Sequence, residues 1–162
     1  MENTEVVKEL SMETKITVRS LANWTTGFQR IESTGDVTIT PNGTTRLSRG
    51  EVISQVQNGN MLFTGIDGVG SHATLYIEDA DTREELDFDN KEEKKVQKIL
   101  TPELVAKLFA YKGISKTFKD KVSEYIVTSA EKSAVMMMIK KGNYNDYEKI
   151  RFIENYTGYK MK

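Results

Sequence analysis

Cysteine is absent from this chain, and its absence removes disulfide cross-links, thiolate metal ligands and cysteine nucleophiles together. That fits a reducing cytoplasm, or a particle assembled in one. Histidine occurs once, as His72, so a histidine-type metal site has to recruit carboxylates for its remaining ligands. Long apolar runs are missing as well. The longest is "AVMMMI", Ala134 to Ile139, six residues against the roughly 18 that a membrane span requires. The opening "MENTEVVKELSMETK" is acidic and lacks the basic-then-apolar order of a secretory signal. We therefore expect no membrane contact and no cofactor.

What is present suits a folded protein. The 162 residues are 38% hydrophobic and 29% charged, enough for one medium domain or two small ones. The net charge of −1 conceals a split. Residues 1–90 hold 7 Lys and Arg against 15 Asp and Glu, a balance of −8, while residues 91–162 hold 16 against 9, a balance of +7. Such asymmetry suggests modules with different partners, or modules that attract one another.

Residues 1–12 show little apolar periodicity and read as a flexible arm. A β-rich domain is expected over 13–89. "KITVRS" alternates with period two, and Trp24 and Phe28 in "NWTTGFQRI" are expected as apolar anchors. "GDVTITPNGTTRLS" places Val37 and Ile39 on one face and turns at Pro41-Asn42-Gly43, with Thr44 to Leu47 as the return strand. "SRGEVISQVQNGN" changes period. Ser48 and Glu51 have capping-box spacing, Val52, Ile53 and Val56 form a short stripe, and Asn58-Gly59 stops one short helix. "MLFTGI" and "HATLYIED" then read as two further strands, and "DTREELDF" as a single helical turn.

Residues 90–100 form a charged linker or exposed helix, and 101–162 read as a helical domain. Thr101, Pro102 and Glu103 open its first helix, whose buried face is Leu104, Val105, Leu108 and Phe109 and which Gly113 ends. Ile114, Phe118, Val122 and Ile126 recur every four residues on the second. Thr128 with Glu131 opens a third that stops at Gly142, and Asn145 with Glu148 opens a fourth that carries Tyr147, Ile150, Ile153 and Tyr156 inward and stops at Gly158. The expected architecture is α+β: a small antiparallel β-barrel or sandwich, then a four-helix module.

Four stretches invite chemistry. "TGIDGVGSHATLYIED" carries Asp67, Gly68, Gly70 and His72, but its glycines miss the spacing G-x-G-x-x-G and a strand, not a helix, is expected to follow. A glycine-rich hairpin is the expectation, its tip and His72 available to a neighbour. His72 lacks triad spacing to any nucleophile and is expected to pack or hydrogen-bond at the base of the turn. Asp79, Asp81 and Asp87 miss the calcium-loop pattern and read as a solvated acidic edge. "KKGNYNDYEKIRFIENYTGYK" gathers Lys140, Lys141, Lys149, Arg151 and Lys160 with Tyr144, Tyr147, Tyr156 and Tyr159. Two readings of that stretch stand: a solvated basic face with structural tyrosines, or a surface where basic side chains contact phosphate and aromatics stack on exposed nucleobases. Met136, Met137 and Met138 read as gap-filling core.

The phrases "LSRGEVISQVQNGNMLFTGIDGVGSHATLYIED" and "KKGNYNDYEKIRFIENYTG" resemble small virion-associated proteins of tailed bacteriophages and prophages of low-GC bacteria. The resemblance runs from about Lys15 through most of the chain and brings no catalytic, cofactor or metal residues with it. It implies a non-enzymatic virion structural or assembly accessory protein: a capsid decoration, head–tail joining or tail-associated component. Such a protein acts through contacts with other virion proteins or with copies of itself, and sits in the virion after assembly in the host cytoplasm. The alternative is a DNA- or RNA-binding regulator in which residues 91–162 touch nucleic acid. Asp67, Gly68, Gly70, His72, Lys140, Lys141, Tyr144, Lys149 and Arg151 are the candidate contact residues.

Overall fold

The alternation in "KITVRS" makes the first strand, β1 (Lys15–Ser20), with Ile16, Val18 and Ser20 turned inward. The computed structural model describes residues 10–90 and 92–161; residues 1–9 of the expected arm lie outside them. β1 is the middle of a three-stranded antiparallel sheet. β4 (Thr44–Ser48) lies on one side, with Ile16 opposite Leu47, and β5 (Leu75–Ile77) on the other, with Val18 opposite Ile77. A separate two-stranded sheet pairs β2 (Thr26–Gln29) with β3 (Asp36–Ile39), setting Phe28 opposite Val37.

The α+β class expected is what the chain adopts, but its described strands form two small antiparallel sheets and do not close into a barrel. Pro41-Asn42-Gly43 does turn the chain, with Asn42 at φ +57° and Gly43 N–H donating to Thr40 O at 2.9 Å. The turn is no hairpin, however. It moves the chain from one sheet to the other, so β4 pairs with β1 instead of with its predecessor. "MLFT" is also no strand. Asn60 caps it, accepting from Leu62 N–H at 3.1 Å, and the four residues wind into α2 (Met61–Thr64). Helical winding buries Phe63 and Thr64 as neighbours and leaves Met61 outside. Trp24, expected as an anchor, is 42% exposed; Phe28 is half-buried and meets Phe63 edge-on at 5.4 Å.

Helix α1 (Arg49–Gln57) starts where Ser48 Oγ accepts from Glu51 N–H at 3.2 Å. The reciprocal half of the expected capping box is missing because the Glu51 side chain turns away from its own helix. It is 2% exposed and accepts from Ile31 N–H at 2.9 Å and Glu32 N–H at 3.4 Å, while Gln55 Nε2 donates to Gln29 O at 2.8 Å. Two side chains one turn apart thus clasp the chain that leaves β2. Arg49, also buried, donates to Ser11 O at 2.6 Å, to Thr82 Oγ1 at 3.0 Å and to Asp79 at 3.2 Å, tying α1 to the start of α3 (Ala80–Glu85). Ile16, Val18, Val37, Ile39, Leu47, Val52, Phe63, Leu75, Ile77 and Phe88 share one hydrophobic cluster.

Of residues 90–100, expected as a charged linker or helix, Asn90 bridges to Lys95 and residues 96–100 run without regular structure. Gln97, Ile99 and Leu100 in this stretch are buried. Four helices follow: α4 (Pro102–Ala110), α5 (Lys116–Tyr125), α6 (Ser129–Lys141) and α7 (Tyr147–Thr157). Thr101, Ser115 and Thr128 cap the first three through their side-chain oxygens. α4 ends at Ala110, before the expected Gly113. Val105, Leu108, Phe118, Val122, Ile126, Val135 and Ile153 are wholly buried in a second cluster, which also takes in Leu21 and Ala73 from the first half of the chain. Among the described residues no helix is long and apolar enough to cross a membrane.

The Glu51 clasp sets an expectation for stability. Glu51→Ala removes the acceptor of the Ile31 and Glu32 N–H groups, and hydrogen bonds to a charged group contribute about 1.5–3 kcal/mol. Urea unfolding should register a loss in that range, with Glu32→Ala, an exposed change, within about 0.5 kcal/mol of the parent.

Candidate functional site

The glycine stretch is a tightly specified connector between α2 and β5, not a hairpin between two strands. Gly65 has φ +66°, and a Cβ on it would stand 2.0 Å from Ser71 O. Gly70 has φ +88° and lies against Phe88 and Gln97, where a Cβ would come within 2.6 Å of both side chains. Gly68, also left-handed, faces open space. Asp67 Oδ1 accepts from Val69 N–H at 2.9 Å and Ser71 N–H at 3.1 Å, closing the tip on itself. Burial opposes ionisation of Asp67, but these hydrogen bonds from Val69 and Ser71 outweigh it and hold its carboxyl below the ordinary value. Ser71 Oγ accepts from Lys98 N–H at 3.0 Å, and His72 N–H donates to Lys98 O at 2.7 Å.

His72 therefore hydrogen-bonds at the base of the turn through its backbone, while its ring reaches much further. At φ +62° its side chain points to α6, and Nδ1 lies 2.9 Å from both carboxylate oxygens of Glu131, 59 residues away in sequence. A carboxylate can only accept, so Nδ1 carries the hydrogen. Glu131 is the third residue of α6 and the carboxylate half of its capping box, and its Oε1 accepts from Val127 N–H and Thr128 N–H at 3.0 Å each and from Thr128 Oγ1 at 3.3 Å. Both side chains are under a tenth exposed. Beside them lies a cavity of about 20 Å³, lined mainly by Leu21, Ala22, Ala73, Leu100 and Ala134. A space of that size holds one water and no substrate. The imidazole ties the connector to the head of α6.

The basic–aromatic stretch divides differently from its expected pattern. Lys140, Lys141, Arg151 and Lys160 are exposed. Lys149, expected among the contact residues, is 1% exposed and is corrected to an interior group. Its Nζ donates to Phe109 O at 3.0 Å and to Tyr111 O, carbonyls on either side of the last residue of α4, lies 3.7 Å from Asp146, and sits over the Phe118 ring at 5.5 Å. Tyr144 is half-buried and stacks on Phe109 at 4.3 Å, and Tyr156 donates its hydroxyl to Ile126 O at 2.7 Å. Tyr147, expected on the apolar face, is 77% exposed. Asp146, not Asn145, caps α7, so Tyr147 becomes its first residue and overhangs the packed turns. Tyr147 and Arg151 line an open groove of about 530 Å³ together with Ile114, Glu148, Phe152 and Asn155.

The acidic edge is also partly committed. Asp79 caps α3 and pairs with Arg49, and Asp89 pairs with Arg83 at 2.7 Å. Burial opposes ionisation of Asp79, yet bonds from Thr82 and Arg49 prevail and lower its pKa. Asp81, Glu84, Glu85, Asp87, Glu92 and Glu93 stay exposed. Among the described residues no three His, Asp or Glu side chains are grouped to hold a metal ion.

No family model matches the chain, and no curated protein or solved structure matches it. Its function has to be argued from the groups above.

Two stability measurements follow from this geometry. A double-mutant cycle of His72→Gln and Glu131→Gln should return a coupling of about 1–3 kcal/mol by urea unfolding, the range for hydrogen bonds to charged groups. Additivity of the two changes would break the tie drawn here. Lys149→Met leaves the Phe109 and Tyr111 carbonyls without a donor and should lose about 2–3 kcal/mol, with faster amide exchange at the end of α4. Exposed Lys141→Met should change stability by less than about 0.5 kcal/mol.

Proposed function

We propose that the chain is a non-enzymatic interaction protein, a structural or assembly accessory of a tailed-phage particle as its resemblance implies, acting through protein–protein contact. Its place is then the virion, after assembly in the host cytoplasm, with the helices α4 to α7 as the module that carries the basic face. The supporting observation is where the polar groups go. The loop that drew attention as a site spends Asp67 on its own backbone and His72 on Glu131, beside a cavity that takes one water.

The charge split, by contrast, survives folding. Among the described residues the charged side chains that are buried are Arg49 and Glu51 in the first half and Glu131 and Lys149 in the second, one of each sign per half. The surface therefore keeps an acidic part and a basic part, which favours association with complementary surfaces. The four tyrosines of the basic stretch suit a nucleic-acid platform less well, since Tyr144 is stacked on Phe109 and the Tyr156 hydroxyl is bound to Ile126 O.

Density-gradient purification of particles from cells carrying the gene should bring the intact chain down with the particles, at a stoichiometry that repeats between preparations. Gel shift with double- and single-stranded DNA and with RNA is the counter-test. Binding that falls by orders of magnitude between about 50 and about 200 mM salt, and vanishes on charge reversal at Lys140, Lys141 and Arg151, would replace this reading with a nucleic-acid-binding regulator.

A further inference from the structure

The groove beside α7 combines a hollow with an uncovered aromatic. Tyr147, Glu148, Arg151, Phe152 and Asn155 reach it from one side of α7, at the i, i+1, i+4, i+5 and i+8 spacing of a single helix face, and Ile114 joins them from the segment before α5. Phe152 is half-buried and held edge-on by Phe118 at 5.5 Å, so it belongs to the fold and to the groove at once. Tyr147 is the first residue of α7 and has 77% of its surface in water. Glu148 and Arg151 are exposed and stand three residues apart, about 4.5 Å along the helix axis. Neither forms an ion pair among the described residues, whereas Lys149 between them is tied to Asp146. The charged groups that line the groove are therefore one carboxylate and one guanidinium, which sum to zero.

From this arrangement we infer that the groove is one half of a two-fold dimer contact, in which α7 of one copy lies antiparallel against α7 of a second. A two-fold axis that crosses α7 between Glu148 and Arg151 exchanges the two positions. Each Glu148 then meets Arg151 of the other copy, and each Tyr147 meets the hollow beside Phe152 and Ile114. Three features select a second copy as the occupant. An isologous contact needs a patch that complements itself, and here the protruding aromatic and the hollow lie on the same helix face. A lining of one sign would repel its own image, whereas this lining carries one charge of each sign in an order that the axis inverts. The net charge of −1 leaves little general repulsion between copies. Tyrosine and arginine are also the side chains in which interface energy concentrates, so Tyr147 and Arg151 carry the adhesion. One face of an 11-residue helix is a small contact, and the dimer is a weak one that forms as concentration rises. The inference rests on the reading of the chain as an interaction protein and deepens it by naming one partner, the chain itself.

The test is sedimentation velocity with light scattering on the full chain over a concentration series. Mass should rise to that of two chains and stop there. Glu148→Arg and Arg151→Glu should each weaken association at least about tenfold, since each sets like charges face to face. Their circular dichroism should match that of the parent, because both side chains are exposed. Mixing these two variants should restore a dimer of one chain of each, and combining both changes in one chain should restore a dimer of that chain with itself. Tyr147→Ala should weaken association about tenfold or more with every charge in place. Lys141→Glu, exposed and outside the groove, should leave it unchanged. A chain monomeric at every concentration, growth beyond two, indifference to the single reversals, or a mixture that stays monomeric overturns the contact. A monomer that still travels with particles would sink this inference and leave the virion reading standing. A dimer that obeys the charge exchange, formed by a chain absent from particles, would do the reverse.

Discussion

The hydrogen bond between the His72 ring and the Glu131 carboxylate is the contact on which the junction of the structure depends. Two hydrophobic clusters meet there, one under the sheets and one among the helices, and the helical cluster already includes Leu21 and Ala73. Apolar packing between clusters is adaptable, but a carboxylate withdrawn from water is not. Left short of donors, Glu131 carries a desolvation cost of several kcal/mol. It is tolerated because four donors converge on it: the imidazole, two backbone N–H groups and the Thr128 hydroxyl. Three come from the start of α6 itself, and the fourth has to be delivered from 59 residues away.

That delivery accounts for the glycine stretch. The imidazole reaches α6 from a left-handed backbone at His72, which a residue with a Cβ adopts at some cost. Gly65 lets Ser71 O approach where no side chain fits, Gly70 lets the chain pass between Phe88 and Gln97, and Asp67 fixes the tip. The conformational cost falls on residues that bear it cheaply, and the result is one aimed side chain. A segment with the composition of a phosphate loop is therefore explained by positioning, with no ligand needed.

Much of the helical half is legible in sequence because its signals are local. Thr101, Thr128 and Gly158 act within a turn of where they stand, and four-residue recurrence places Phe118, Val122 and Ile126 inside without knowledge of the rest. The strands resist because pairing is decided at a distance. Nothing in "TTRLS" says that its partner is β1 and not β3, and a run of three apolar residues, as in "MLFT", satisfies either period. The error at α7 has another cause. A cap displaced by one residue, from Asn145 to Asp146, changes which side chain stands first in the helix, and that placed Tyr147 outside. The burial of Lys149 had no local signal at all. It follows from α4 ending with two carbonyls aimed at the same point, and a lysine is long enough to reach them with its stem in the core.

These corrections bear on function because they change which charges remain outside. Removing Lys149 from the basic stretch and Tyr144 from its exposed aromatics leaves a sparser surface than the sequence advertised, with Tyr147 at the groove and Tyr159 elsewhere. Folding nevertheless withdraws acids and bases in equal number from each half among the described residues, so the asymmetry between halves reaches the surface undiminished. Surface charges bind weakly one at a time and are screened within about 8–10 Å. Paired patches of opposite sign therefore act mainly on partner choice and register, while apolar anchors supply adhesion. The only imidazole and the glycine loop are spent on internal alignment, which leaves the exposed side chains as the groups open to a partner.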